Sequence, residues 1–157
     1  MSLLDEQLVD EWLNRKNFFT IRGIKTGVDE IDLLAIREKA EPAETERWHV
    51  EVQVSFRPIG YIGGDTNARK RTSEEVKAGV EQWVAKKFTS PRKVARRNQI
   101  APEKKWHFVL VYGAVREKEE LGHMTASDVE LIPYTQVLGD LARLIHADDG
   151  PVGICGC

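Results

Sequence analysis

The sequence predicts an α/β fold, a mixed central sheet of about five strands flanked by helices in the order α-β-β-β-α-β-β-α. Two observations predict it. Three consecutive β-patterned segments follow an amphipathic helix with only short breaks between them, as a meander requires. Two later β segments are each separated from what precedes them by chain long enough to cross over a sheet. The chain of 157 residues suits one domain over 1–150, with a short tail at 151–157.

Each element has its own warrant. Leu4, Leu8, Val9, Trp12 and Leu13 recur at helical spacing and predict a first helix from Leu3 to about Lys16 with one broad apolar face. "NFFTIRGIK" (Asn17 to Lys25) turns to β-branched and aromatic residues, Gly27 breaks it, and "EIDLLAIRE" (Glu30 to Glu38) follows as a second strand. After the charged turn "KAEPAETE" comes "RWHVEVQVSF" (Arg47 to Phe56). Its period of two sets Val50, Val52 and Val54 against one layer and His49, Glu51, Gln53 and Ser55 against the other. The long segment "FRPIGYIGGDTNARKRT" reads as a functional loop. Ser73 before Glu74 and Glu75 reads as an N-cap of a helix running to about Phe88 and burying Val76, Val80, Trp83 and Val84. "TSPRKVARRNQIAPEKK" is a basic connection with room for a short helix. "WHFVLVYG" (Trp106 to Gly113) is a strand covered on both faces. The charged connection "AVREKEELGHM" leads to "VELIPY" (Val129 to Tyr134), the fifth strand. A last helix buries Val137, Leu138, Leu141, Leu144 and Ile145.

Composition narrows the function classes. No apolar run reaches the roughly 20 residues of a membrane span, and the N-terminus has neither the basic nor the apolar region of a signal peptide. Cys155 and Cys157, one residue apart in a glycine-rich tail, form no disulfide framework and only half a metal site; the expectation is a cytoplasmic protein. Between Arg57 and Lys105 thirteen Lys and Arg face five Asp and Glu, although the whole chain carries −2, so a polyanion is the expected partner of this middle region. As solvated surface charge the same residues would look alike.

The chemistry-bearing residues lie on the second and third strands. Asp32 is the lone carboxylate within an apolar run, and Glu51 sits between valines. Paired as a meander, these strands bring the two carboxylates to one end of the sheet, where they repel unless a cation lies between them. Mg²⁺, or Mn²⁺ in its place, suits such hard oxygen donors and serves phosphoryl chemistry. Gln53 points the same way and can hold water or phosphate, but it cannot act as a base. In the bland reading Asp32 caps a turn and Glu51 pairs with an arginine.

The run of helix, strand, "GVDEIDLLAI", turn, "VEVQVSF", helix and strand resembles the core of the PD-(D/E)XK nuclease superfamily, the restriction-endonuclease-like fold that includes archaeal-type Holliday junction resolvases. The resemblance covers about residues 3 to 113, with Asp32 as the Asp and Glu51-Val52-Gln53 as Glu-x-Lys. Gln53 departs from the lysine usual there. It implies a metal-dependent DNA endonuclease, with branched or recombination-type DNA among its substrates. The metal would be bound by Asp32, Glu51, the Val52 carbonyl and Glu6 of the first helix, with Asp5 and Glu11 as fallbacks. Asp32, Glu51, Gln53 and Glu6 are then the catalytic set, and a homodimer is the usual assembly. Arg57, Arg69, Lys70, Arg71, Lys77, Arg92, Lys93, Arg96 and Arg97 become phosphate contacts, and Tyr61 a stacking residue. Gln82 faces either the site or solvent. His49, His107, His123 and His146 form no ligand spacing and read as structural or exposed. The alternatives are an inactive nucleic-acid-binding module on the same fold, and a partner subunit in a recombination or mobile-element system.

Overall fold

The structure, a computed structural model, describes residues 3–41, 43–54, 72–113 and 118–148. Helix α1 (Leu3–Arg15) leads into a meander of β1 (Phe19–Thr26), β2 (Asp29–Lys39) and β3 (Glu44–Gln53). Helix α2 (Ser73–Val84), a π-helical turn (Ala85–Thr89) and α3 (Pro91–Ile100) precede β4 (His107–Tyr112). Helix α4 (Lys118–Ala126), β5 (Val129–Pro133) and α5 (Tyr134–Asp148) complete the chain. The strands lie in sequence order, β1-β2-β3-β4-β5. β1, β2 and β3 pair antiparallel, whereas β4 runs parallel to β3 and β5 parallel to β4, so the sheet is mixed as expected. No helix among the described residues is long and apolar enough to cross a membrane.

Alternation divides the core between two faces. Leu33, Ala35, Val50, Val52, Val109, Val111 and Ile132 point one way, against Val9, Trp12 and Leu13 of α1 and Val137 and Leu141 of α5. Leu110 and Val129 point the other way, against Val76, Val80 and Val84 of α2, Phe88 and Met124. Each such aliphatic side chain removed from water stabilises the fold by roughly 1.5–3 kcal/mol before entropy is counted. Trp12 Nε1 donates to Asp140 Oδ2 at 2.9 Å and ties α1 to α5.

Several details differ from the sequence reading. "KEELGHMTA" is helix α4 rather than a connection, because Glu120 and Met124, one turn apart, both find cover. Leu4, Leu138 and Ile145 are exposed, since they lie on the flanks of their helices beside the covered stripe. The third strand begins earlier, at Glu44. The cap of α2 is Thr72, whose hydroxyl accepts from Glu75 N–H at 3.2 Å while its backbone stays extended; Ser73 is already helical. Arg57, Tyr61, Arg69, Lys70, Arg71, Cys155 and Cys157 lie outside the described residues.

One local feature directs the acidic side chains. Strict alternation would put Ile31 on the α1 face with Leu33, yet Ile31 packs with Leu34 and Trp106 on the opposite face. The partner strand does the same: Arg22, paired with Leu33, reaches Asp10 of α1 at 3.6 Å, while Ile24, paired with Ile31, joins the other cluster. Both strands therefore exchange faces between these pairs, where Gly23 sits at φ 60° across from Asp32. A Cβ at Gly23 would meet nothing within 4 Å, so glycine is needed there for its backbone alone.

The cap supplies a direct check. Thr72→Ala is expected to cost about 1 kcal/mol in urea unfolding, and Ser73→Ala to stay within about 0.5 kcal/mol. Equal losses would return the cap to Ser73.

Candidate metal site

The exchange of faces sorts the start of β2 into separate tasks. Asp29 turns toward α3, where its Oδ2 lies 3.6 Å from Lys93 Nζ. Glu30 turns toward α1 and meets Glu6. At the exchange itself Asp32 turns toward β3, where the ladder with β2 ends at Leu33↔Val50, and its Oδ2 accepts the Val52 N–H at 2.9 Å. The carboxylate thus takes the place of the next backbone acceptor.

Glu6, Glu30 and Asp32 each bring a carboxylate oxygen within 4.8 Å of the other two. A small divalent ion with oxygen donors at 2.0–2.1 Å holds adjacent ligands about 3 Å apart, so modest closure of this trio fits Mg²⁺ or Mn²⁺. The donor chemistry agrees, being hard oxygen throughout. Of Asp5, Glu6 and Glu11 on α1, Glu6 is the one that reaches the trio. Asp5 faces Tyr134 on α5, where burial and the Asp5 carboxylate push the phenol up to about 12. Glu11 pairs with Arg15 at 2.7 Å.

Behind Asp32 stands Glu51, only 2% exposed. Its Oε1 receives two donors, His49 Nε2 at 2.8 Å and Lys93 Nζ at 3.1 Å. The other ring nitrogen, His49 Nδ1, lies 2.7 Å from Arg97 Nη1, which also donates to the Phe88 carbonyl. Arg97 is always a donor, so Nδ1 accepts and the imidazole proton resides on Nε2, facing Glu51. Burial, with Arg97 and Lys93 adding to it, holds the imidazole well below its usual range, and the ring is neutral.

Repulsion and burial dominate the carboxyl groups. Burial first, then Glu51, pushes Asp32 up to about 8, against the lowering pull of the Val52 N–H. Burial raises Glu51 as well, with Asp32 and Lys93 pulling it back. Glu6 is raised by burial and by Asp32 and Glu30. Burial alone would raise Asp29, but the Glu30 N–H and Lys93 hold it below the carboxylate range. The group is an acidic centre short of positive charge.

Against the sequence reading, Asp32, Glu51 and Glu6 do come together, with Glu51 touching Asp32 from behind and outside the oxygen trio. Val52 enters through its N–H. Gln53 is half-buried at the end of β3 on the side of Glu51. Lys77 is exposed on α2 and Arg92 exposed at the start of α3. Arg92 lies over the β1–β2 turn, where a Cβ at Gly27 would fall 1.8 Å from its Nη1. Gln82 faces solvent. Lys93 requires correction: it is 0% exposed and cannot touch a nucleic-acid backbone at the surface, because its ammonium is drawn inward by Glu51 and Asp29. Arg97 requires the same correction: expected as a phosphate contact, it is 6% exposed and turns inward to His49 and the Phe88 carbonyl. His49, read as structural, and Glu30, which nothing in the sequence marks, both join the site. The apolar residues of α3, Val94, Ala95 and Ile100, fall on different sides of the helix and form no stripe, and the i, i+4 pair Lys93 and Arg97 is buried instead.

No protein family matches the chain, and no curated protein does. Among solved structures, the crystal structure of AF1548, a protein of unknown function, is similar at 15% identity and a TM-score of 0.48. The likeness spans 84% of this chain and 59% of that one, less than two thirds of its length.

The Asp32 shift makes a signed prediction. The unfolded chain releases this proton near pH 4 and the folded chain near pH 8, so between these values the folded state holds more protons and stability falls as pH rises. In chelator-containing buffer Asp32→Asn is expected to match the native protein near pH 4. Toward pH 8 it should become more stable, by on the order of several kcal/mol. Parallel urea-unfolding curves across that range would refute the shift.

Proposed function

We propose that this chain is a metal-dependent endonuclease that hydrolyses phosphodiester bonds in DNA, branched or recombination-type DNA included. The observation that carries this reading is the convergence of Glu6 from α1 with Glu30 and Asp32 from β2 on one point, backed by the buried Glu51. Carboxylates forced together at a sheet end raise one another's proton affinity, and a divalent cation relieves that repulsion. Glu6, Glu30 and Asp32 would hold Mg²⁺ or Mn²⁺. Such an ion, when bound, supplies Lewis acidity at a phosphoryl oxygen and lowers the pKa of bound water.

The chain's own residues do the rest. The Val52 N–H fixes the rotamer of Asp32, and neutral His49 fixes Glu51. Gln53 orients water or a phosphate oxygen by hydrogen bonding and accepts no proton. In hydrolysis a water oxygen bonds to phosphorus as the bond to the leaving sugar oxygen breaks; the water's proton passes to solvent and the leaving oxygen takes one up. Lys86 and Arg92, both exposed, and half-buried Lys87 flank the same corner, and Lys87 lies close enough to bias Asp32, Glu51 and Asp29. Cations so placed suit a phosphate backbone. Cutting two strands of a branched substrate calls for two such sites, which makes a homodimer part of this reading.

The test is cleavage of branched and linear DNA with Mg²⁺ or Mn²⁺, comparing the native chain with Asp32→Ala and Glu51→Ala. Metal-dependent cleavage that falls to background in both variants is the expected outcome. Salt-sensitive DNA binding without cleavage in any of the three would replace the nuclease by an inactive binding module. Glu30→Gln is expected to weaken Mn²⁺ binding by roughly tenfold or more in calorimetry, and unchanged affinity would remove Glu30 from the ligand set.

A further inference from the structure

Helix α3 turns a lysine inward, one of its two buried side chains. Lys93 is the one fully buried ammonium among the described residues. Its Nζ lies 3.1 Å from Glu51 Oε1 and 3.6 Å from Asp29 Oδ2. The helix is already anchored without it. Arg96 donates through two nitrogens to the Lys25 carbonyl of β1, at 2.8 and 3.2 Å, and Arg97 holds His49 and the Phe88 carbonyl. What Lys93 adds is charge, delivered to the side of Glu51.

That charge has a setting. Glu6, Asp29, Glu30, Asp32 and Glu51 crowd the end of β2 and β3, and no cation comes from β3 itself, where the next residue on the face of Glu51 is Gln53. Phosphodiester hydrolysis piles further negative charge onto phosphoryl and leaving oxygens. A fixed, dehydrated cation stabilises such charge more effectively than one in water, because the surroundings screen it less and need not reorganise. Burying an ammonium without a use for its charge is disfavoured, and a hydrophobic side chain of similar volume would serve packing better.

We propose that Lys93 is the cationic group of the site: α3 places its ammonium behind Glu51, where it fixes Oε1 and offsets the charge that builds on the phosphate during hydrolysis. Lys93 acts through Glu51 and through space, as a positioning residue. This inference rests on the nuclease reading, and its test separates the two. Gln53→Lys sets a cation on the neighbouring strand position, so it reports whether the site lacks one.

The experiment compares native protein, Lys93→Gln, Gln53→Lys and the double variant by cleavage kinetics, Mn²⁺ calorimetry and thermal melting. Lys93→Gln is expected to lower kcat by about 100-fold with KM within about threefold. It should bind Mn²⁺ about tenfold more tightly, because a nearby repelling charge is gone. The double variant is expected to recover kcat at least about tenfold over Lys93→Gln, a rescue that a merely structural lysine would not show. Gln53→Lys alone is expected to leave kcat at or below the native value, because it adds a cation the site already has and removes the amide that orients water. Unchanged kcat and Mn²⁺ affinity in Lys93→Gln overturn the proposal. So does a rise of about tenfold or more in Gln53→Lys, which also decides the matter if Lys93→Gln does not fold. A native protein that cleaves nothing overturns the nuclease reading and this inference with it, whereas metal-dependent cleavage that Lys93→Gln leaves unchanged overturns this inference alone.

Discussion

A buried carboxylate must be satisfied, and the satisfaction of Glu51 organises much of this molecule. The side chain sits between the sheet and α3 with almost no exposure, where an unpaired charge would cost several kcal/mol. Its Oε1 takes donors from β3 and α3, and each brings a requirement of its own. His49 must present Nε2–H, so Nδ1 needs a donor, and Arg97 is that donor. Arg97 in turn is buried and finds the Phe88 carbonyl, made available where α2 gives way to a π-helical turn. The Phe88 carbonyl of that turn and two of the basic residues of α3, Lys93 and Arg97, thus belong to one chain of hydrogen bonds running outward from Glu51.

A second constraint works through the backbone. If β1 and β2 alternated without interruption, Glu30 and Asp32 would point together to the face of α3, and Glu6 on α1 would be left on the far side. The exchange of faces at Gly23 and Asp32 turns Glu30 to Glu6 and leaves Asp32 between the layers, bonded to Val52. Two different faces of the sheet thereby contribute to one centre. A positive φ at Gly23 costs a glycine little and other residues more, which is why this strand can carry the distortion without a compensating contact.

The legibility of these features in the sequence follows from how local their causes are. The meander, the doubly covered β4 and the helical stripe of Val9, Trp12 and Leu13 depend on period alone and are readable there. Asp32 and Glu51 stand out because a carboxylate interrupts an apolar run. Glu30 does not, because its meaning depends on a change of face that period-two counting hides. Lys93 and Arg97 look like solvated charge, since a count of basic residues between Arg57 and Lys105 contains no direction. Thr72 and Ser73 differ as caps only through backbone geometry. Helix α4 is obscured by its charge, and becomes stable through Glu120 and Met124 against a layer the local sequence does not contain.

The division of the basic region into inward and outward halves bears on how the acidic centre could meet a polyanion. With every cation on the surface, approaching phosphates would find attraction at the rim and five carboxylates within, and the interior would repel what the rim recruits. Turning Lys93 and Arg97 inward lowers that internal repulsion, while Lys86 and Arg92 stay outside. The interior cations are held by Glu51, Asp29 and His49, so they change little when a ligand arrives and cost little reorganisation. The exterior ones remain hydrated and screened by salt over about 10 Å at 0.1 M ionic strength. Under the proposed function, DNA recruitment would therefore weaken with salt while the balance of charge inside the centre would not, because the two sets of cations sit in different dielectric surroundings.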